Sequence, residues 1–295
     1  MSESSVFSLE KIQTIAVIGS GVMGQGIAQV CASAGFTVIL ADINESVLQG
    51  AHKSILAQLN KLVEKGKITR EAADATSGKI TLSTEPEQIK ADLFIEAILE
   101  DLRIKQNLFS KIAAQNSSSA IFASNTSTLP ITRIAAEIPN PERVIGLHFF
   151  NPAPIMKLVE IIPGANTAPE VIAVMQELSD KLGKTAVSVK DEPGFIVNRV
   201  ARHFYLESLL LLEEKVADFE EIDEILKAYG FKMGPFELMD LIGVETNHSV
   251  TKSLYHSFFE DEKFRPSRIQ QNKVDAGHYG RKTGKGFYTY SKDKE

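Results

Sequence analysis

Over the first 190 residues, short apolar runs alternate with longer stretches whose apolar positions recur at helical spacing. That alternation predicts a mostly parallel sheet joined by crossover helices. Residues 15–18 read as a first strand, 23–34 as a helix stopped by Gly35, and 37–41 as a second strand ending at Asp42. Residues 46–77 carry helical periodicity interrupted at Gly66. Further strands are predicted at 93–96, 121–124 and 144–149, each followed by a polar turn. A helix is expected over 129–138, and strands at 156–161 and 185–189, with a helix from about 170 to 182 between them, complete the sheet.

The pattern changes at Asp191-Glu-Pro-Gly-Phe195. Beyond it the apolar spacing is helical throughout, with Phe195, Val197, Val200, Phe204, Leu206 and Leu209 to Leu212 on one long helix. Ile222, Ile225 and Leu226 begin another, and residues 236–241 a third, punctuated by Gly230, Gly234 and Pro235. The expectation is an α/β domain over 1–190 and an all-helical C-terminal domain over 191–295. The apolar face at 209–212 fits either a subunit interface or intradomain core.

Composition narrows the class. With 43% hydrophobic and 24% charged residues the chain has the balance of an ordinary globular protein. No apolar run approaches the ~20 residues that span a bilayer, so no membrane association is expected. Residues 1–7 lack a basic n-region, an apolar h-region and the Arg-rich look of a transit peptide, so a cytoplasmic location is expected. Thirty-two basic against 38 acidic residues give a net charge of −6, which argues against nucleic acid as a partner. Lys61, Lys65 and Lys67 still form a local basic cluster suited to an anionic ligand. The single cysteine, Cys31, permits no intramolecular disulfide and builds no zinc site by itself, so no metal is expected. Its neighbours, Gly26-Ile-Ala-Gln-Val-Cys-Ala-Ser-Ala34, suit close helix packing.

Candidate chemistry begins at Gly19-Ser-Gly21-Val-Met-Gly24, a glycine motif between a predicted strand and a predicted helix. Gly19 permits the tight turn, Gly21 lets backbone approach a pyrophosphate, and Gly24 allows close helix–strand packing. The helix N-terminus adds unpaired N–H groups and partial positive charge. Asp42 stands 21 positions beyond Gly21, at the end of the second strand, where a carboxylate accepts from ribose hydroxyls and repels a 2′-phosphate. No arginine follows in Asp42-Ile-Asn-Glu-Ser46, so NAD is expected rather than NADP. A purely structural turn with Asp42 as a cap is the plainer alternative.

Six histidines occur, at His52, His148, His203, His248, His256 and His278. His148 differs from the rest because it ends an apolar strand, Val144-Ile-Gly-Leu-His148, and ligands in such sheets bind at strand carboxyl ends. In His148-Phe-Phe-Asn-Pro-Ala-Pro-Ile-Met-Lys-Leu-Val-Glu160 the two ends are symmetric about Pro154, and two prolines favour a reversal between them. If the flanking segments pair antiparallel, His148 and Glu160 face one another with Cβ atoms about 5 Å apart. Glu160 would then hold one ring N–H and leave the other nitrogen for a substrate proton. A one-residue slip would leave Glu160 an ordinary solvated strand residue. Ser124-Asn-Thr-Ser-Thr128 is either a turn and cap for the helix after it or a cluster placing the Ser127 hydroxyl on a substrate oxygen. Asn198 is an amide in the first turns of the long helix, at the expected domain junction, where clefts commonly hold ligands.

Six segments together carry a specific resemblance. They are Val17-Ile-Gly-Ser-Gly-Val-Met-Gly24, Ala123-Ser-Asn-Thr-Ser127, Gly146-Leu-His-Phe-Phe-Asn-Pro152, Lys157-Leu-Val-Glu160, Pro193-Gly-Phe-Ile-Val-Asn-Arg199 and Met233-Gly-Pro-Phe-Glu-Leu238. With them the chain resembles the short-chain L-3-hydroxyacyl-CoA dehydrogenases, which include bacterial 3-hydroxybutyryl-CoA dehydrogenases, from the first strand to Gly284-Lys-Gly-Phe-Tyr288. The resemblance implies a Rossmann-type NAD-binding domain followed by a helical substrate and dimerisation domain. It implies NAD-linked interconversion of (S)-3-hydroxyacyl-CoA and 3-ketoacyl-CoA in fatty-acid and lipid metabolism, with the site in the interdomain cleft and a homodimer formed through the helical domain.

Residue by residue, the resemblance makes His148 the general base or acid, Glu160 its orienting partner, and Ser127 and Asn198 ligands of the reacting oxygen. Around NAD it places Gly19, Gly21, Val22, Met23, Gly24, Asp42, Ala97, Glu100, Lys105, Asn125, Ser127, Asn151 and Lys282. Without it, Glu100 and Lys105 in Glu96-Ala-Ile-Leu-Glu-Asp-Leu-Arg-Ile-Lys105 read as a helix-start pair. For the coenzyme A tail, the family's serine aligns with Gln58 and its lysine with Lys65, so one hydroxyl contact is lost. A sugar-acid dehydrogenase of the L-gulonate type, using the same scaffold without CoA, and a non-catalytic NAD-binding protein are the competing readings.

Overall fold

The computed structural model describes residues 6–290, so 1–5 of the targeting reading fall outside the described residues. Its contacts fall into two compact units, one ending at Glu192 and one beginning at Pro193. The first unit holds strands β1 (Thr14–Ile18), β2 (Thr37–Ala41), β3 (Ile80–Ser83), β4 (Leu93–Glu96), β5 (Ile121–Ser124), β6 (Val144–Phe149), β7 (Leu158–Pro163) and β8 (Thr185–Ser188). They form one sheet in the order β3-β2-β1-β4-β5-β6-β7-β8. Every pairing is parallel except β6 with β7.

Helices α1 (Val22–Ser33), α2 (Glu45–Glu64), α3 (Arg70–Ser77), α4 (Leu102–Gln115), α5 (Ile131–Ala135) and α6 (Pro169–Lys181) complete this unit. β4 and β5 are buried at every position, as strands sandwiched between helices require. On one side of the sheet Phe94 stacks on Phe122, which Phe109 meets edge-on. On the other, α1, α2 and α6 bury Ile27, Leu48, Ile55, Val171 and Met175 against β1, β2 and β7. Cys31 is fully buried there, and burial pushes its thiol up to about 12, so it acts as a packing residue.

Several boundaries differ from the sequence expectation. The periodic stretch at 46–77 is two helices, because Gly66 takes φ +63° and Thr69 caps a new start by accepting from the Ala72 N–H. β3 was not expected at all. The helix expected over 129–138 shrinks to α5 because Pro130 delays its start, and β7 begins two residues later than expected.

The second unit is helical, with α7 (Val197–Glu213), α8 (Phe219–Tyr229), α9 (Pro235–Ile242), α10 (Val244–Ser257) and α11 (Arg268–Asp275), plus two isolated bridges near the C-terminus. Leu209 is buried in its core, Leu211 and Leu212 pack against that core, and Leu210 is exposed. The 209–212 face is therefore mainly intradomain core. Two buried aspartates brace the unit: Asp223 accepts from the Phe236 and Glu237 N–H groups, and Asp240 from those of Phe287 and Tyr288. Gly234 and Gly286 lie so close to these carboxylates that a Cβ at either would overlap them. Among the described residues no helix is long and apolar enough to cross a membrane. No group of three His, Cys, Asp or Glu side chains among them could hold a metal ion.

Candidate active site

The carboxyl ends of β1, β4, β5 and β6 bring most of the first unit's candidate residues together. After β1 the chain turns at Gly19, φ +98°, where a Cβ would lie 2.6 Å from the Ala97 carbonyl oxygen. A Cβ at Gly24 would overlap the Gly19 carbonyl oxygen, so helix and turn touch backbone to backbone. Gly21 is the opposite case: a Cβ there meets nothing within 4 Å. The space before the N-terminus of α1 is open, and the exposed Val22 and partly buried Met23 border it. This is the cradle an anionic pyrophosphate needs.

Asp42 follows β2 and accepts from the Ser20 N–H at 2.8 Å, the Ser20 hydroxyl at 2.9 Å and the Asn44 N–H at 3.0 Å. Burial acts to raise its pKa, but these donors outweigh it and hold the carboxyl below the usual range. An ionised Asp42 at the rim of the glycine turn suits ribose hydroxyls and opposes a 2′-phosphate. The donor set and the open cradle fit NAD.

The wall facing the glycine turn is built from two buried charges, Glu96 and Lys105, and a third, Glu100, that reaches the surface. Lys105, only 1% exposed, places its ammonium 2.5 Å from Glu96 and 3.2 Å from Glu100. Glu100 in turn accepts from the Ser127 N–H at 3.0 Å, the Thr128 N–H at 3.2 Å and the Thr126 hydroxyl. Burial pulls the Glu100 pKa up, yet Lys105 and these donors win and hold it below the ordinary value. Asn125 fastens the next strand by accepting from the Phe149 N–H at 2.8 Å.

β6 and β7 deliver the central pair. Their antiparallel register sets His148 opposite Glu160, as the symmetry about Pro154 predicts. His148 Nδ1 lies 2.8 Å from Glu160 Oε2, with both side chains at most 5% exposed. The other ring nitrogen, Nε2, lies 3.1 Å from the Ser127 hydroxyl. Phe150 packs on the imidazole at 4.6 Å between ring centroids. With Glu160 holding Nδ1–H, Nε2 is the lone-pair nitrogen, poised beside a hydroxyl that can hydrogen-bond a substrate oxygen. This geometry can take a proton from an alcohol or return it.

The turn between β6 and β7 is held from two sides. A Cβ on Gly26 of α1 would come within 3.1 Å of Pro154 and 3.2 Å of Ala153, so glycine there lets the turn lie close to the helix. Lys184 donates to the Ala153 carbonyl at 2.5 Å and the Met156 carbonyl at 2.9 Å. Asn151, exposed, stands at the start of this turn and is joined to Pro152 by a cis peptide. Gln58 donates to Ser54 along α2, and Lys65 is the exposed C-cap of that helix. Asn198 and Lys282 belong to the second unit, where Lys282 forms an ion pair with Glu245.

Sequence reasoning missed Glu96, Thr126 and Lys184. The one signal for Glu96 was a charged residue closing an otherwise apolar strand. Lys184 looked like an ordinary basic residue after a helix, and nothing local marked it as buried.

Comparison with known proteins agrees with this arrangement. A family model described as "3-hydroxyacyl-CoA dehydrogenase, NAD binding domain" matches residues 14–192, and "3-hydroxyacyl-CoA dehydrogenase, C-terminal domain" matches 194–290. The chain is 47% identical over 286 residues to a protein named 3-hydroxyadipyl-CoA dehydrogenase from Escherichia coli, covering 96% of this chain but 60% of that protein. It is 43% identical to a probable 3-hydroxybutyryl-CoA dehydrogenase of Bacillus subtilis, covering 95% of this chain and 98% of that one. The crystal structure of (S)-3-hydroxybutyryl-CoA dehydrogenase from Ralstonia eutropha superposes with a TM-score of 0.91 at 39% identity, over 96% of this chain and 100% of that chain.

Proposed function

The chain belongs to the 3-hydroxyacyl-CoA dehydrogenase family, and on that premise we propose that it interconverts (S)-3-hydroxyacyl-CoA and 3-ketoacyl-CoA with NAD. The observation that carries the reading is the 2.8 Å contact of His148 Nδ1 with Glu160, which leaves Nε2 beside Ser127. In the oxidative direction Nε2 removes the proton from the C3 hydroxyl. Bound NAD would supply the acceptor for the hydride that leaves C3. Glu160 stabilises the imidazolium that His148 becomes, and Ser127 orients the C3 oxygen. In the reductive direction the same nitrogen returns the proton to that oxygen.

Gly19, Gly21, Val22, Met23 and Gly24 would hold the pyrophosphate, and Asp42 the adenosine ribose. Ala97, Glu100, Asn125 and Asn151 line the same strand ends, and Lys105 would act through Glu100 because it is itself buried. Asn198, Lys282 and, for the CoA tail, Lys65 enter this proposal on the family resemblance alone. So do a homodimer through the helical unit, testable by the mass of the protein in solution, and a cytoplasmic location, testable by cell fractionation.

The test is NADH consumption with 3-ketoacyl-CoA substrates from C4 to C16, with a 3-oxoadipyl-CoA arm prompted by the name of the 47%-identical relative. Turnover of acetoacetyl-CoA is expected. Turnover of free sugar acids alone would favour the L-gulonate type of dehydrogenase. NADH binding without turnover of any acyl-CoA would mean a non-catalytic NAD-binding protein. Replacing His148 by Gln should lower kcat by roughly 10²–10⁴-fold, the usual worth of a positioned base. Wild-type turnover in that variant would overturn the assignment.

A further inference from the structure

We propose that Glu96 is a positioning residue that holds Ser127 against His148 through Lys105 and Glu100; the proposal rests on the dehydrogenase reading. Glu96 closes β4, in register with Ile18 of β1 and Ser124 of β5, so it sits where three strand ends meet. It is fully buried. Its carboxylate accepts from Lys105 Nζ at 2.5 Å, the Ser124 hydroxyl at 2.7 Å and the Ile98 N–H at 2.8 Å. Burial pushes its pKa up, but every one of these partners is a donor, and a full set of donors fits the ionised form.

The path onward is continuous. Lys105 bridges to Glu100 at 3.2 Å, Glu100 takes the Ser127 and Thr128 N–H groups, and the Ser127 hydroxyl meets His148 Nε2 at 3.1 Å. A backward branch runs through Ile98, whose side chain and the Ala97 carbonyl wall the Gly19 turn. One buried carboxylate therefore fixes both the cofactor wall and the hydroxyl beside the base. Two carboxylates share one lysine here. Without the charge at position 96, Lys105 answers to Glu100 alone and draws it away from the 126–128 turn. Misplacement of about 1 Å at a reacting centre can cost ~10²-fold in rate.

The experiment compares Glu96→Gln, Ser127→Ala and the double variant in the acetoacetyl-CoA assay, with amide hydrogen exchange of the ligand-free proteins. Glu96→Gln should lower kcat by roughly 10–100-fold with KM for acetoacetyl-CoA nearly unchanged. It should also raise exchange at the Ser127 and Thr128 amides about tenfold while α6 stays as protected as in the wild type. In the Ser127→Ala background, the kcat effect of Glu96→Gln should shrink to less than about twofold, since groups acting as one chain are not additive. A Glu96→Gln effect that keeps more than half its logarithmic size in that background, or unchanged Ser127 and Thr128 exchange, overturns the proposal.

Should Glu96→Gln not fold, Ser124→Ala removes one donor to Glu96 and leaves every charge in place. A drop of about threefold in kcat with faster Ser127 exchange supports the same chain, and no change in either overturns it. Failure of the wild type to turn over any acyl-CoA would instead count against the dehydrogenase reading, while the exchange measurement still decides the role of Glu96.

Discussion

The β6–β7 hairpin and the wall at the end of β4 border the same strand ends, yet they place their polar groups in opposite ways. In the hairpin the backbone ladder comes first: five residue pairs in antiparallel register, from Ile145 with Pro163 to Phe149 with Val159, bring His148 opposite Glu160. In the wall the side chains come first: Glu96, Lys105 and Glu100 hold the turn that bears Ser127. A group positioned by a ladder can be changed without disturbing its support. A group that is itself the support cannot.

Glu160→Gln tests the first half of that contrast and carries the largest expected effect. Gln keeps the volume but can turn either its carbonyl oxygen or its NH2 to Nδ1, so it no longer dictates the tautomer, and it removes the charge that stabilises the imidazolium. The rate should fall by roughly 10²–10⁴-fold, while Tm stays close to wild type because the ladder is intact. A kcat within threefold of wild type would remove Glu160 from the mechanism. A collapse of Tm would mean the pair supports the hairpin rather than the reverse.

Lys105→Met tests the second half. It leaves the Glu96 and Glu100 carboxylates without their shared cation, and an uncompensated buried charge typically costs ~3–5 kcal/mol. Denaturant titration should show that loss, together with weaker NADH binding read by nicotinamide fluorescence. The chain has no tryptophan to interfere with that signal. Wild-type stability in Lys105→Met would mean that the buried Glu96 needs no cation to hold its place, and would break the comparison.

The same contrast explains what the sequence disclosed. Ladder positioning is periodic, so the symmetry of His148 and Glu160 about Pro154 sufficed to foresee their contact. Buried apolar strands such as β4 and β5 were equally plain. The wall joins residues 26 to 28 positions apart only because β4 and β5 are neighbours in the sheet (Glu100 to Thr126, Ser127 and Thr128, and Glu96 to Ser124), and no local pattern encodes that. β3 was missed for a different reason: it is four residues long, lies at the sheet edge, and alternates in Thr81 and Ser83. The roles of Glu100 and Lys105 came from the family resemblance, whereas their mutual ion pair is a structural finding.

Acid titration gives the smallest effect and the finest probe of the wall. Burial acts to raise the Glu100 pKa, but Lys105 and the donors of the 126–128 turn outweigh it, so the folded value lies below the unfolded one. The unfolded value is about 4.3. A carboxylate shifted downward stabilises the fold fully above its unfolded pKa, and that stabilisation is lost as pH falls through the lower folded value. Glu96 shifts the other way, upward through burial, and so gains relative stability as pH falls. It is present in both the wild type and Glu100→Gln and moves both in the same direction, while the shared Lys105 couples what remains to Glu100. The Tm gap between these two proteins should therefore be widest near neutrality, hold down to about pH 5, and close as pH falls past the unfolded value through the lower folded one. A gap that stays constant over that range would mean Glu100 stabilises the turn by shape alone, and the wall would then resemble the hairpin in needing no charge to hold its place.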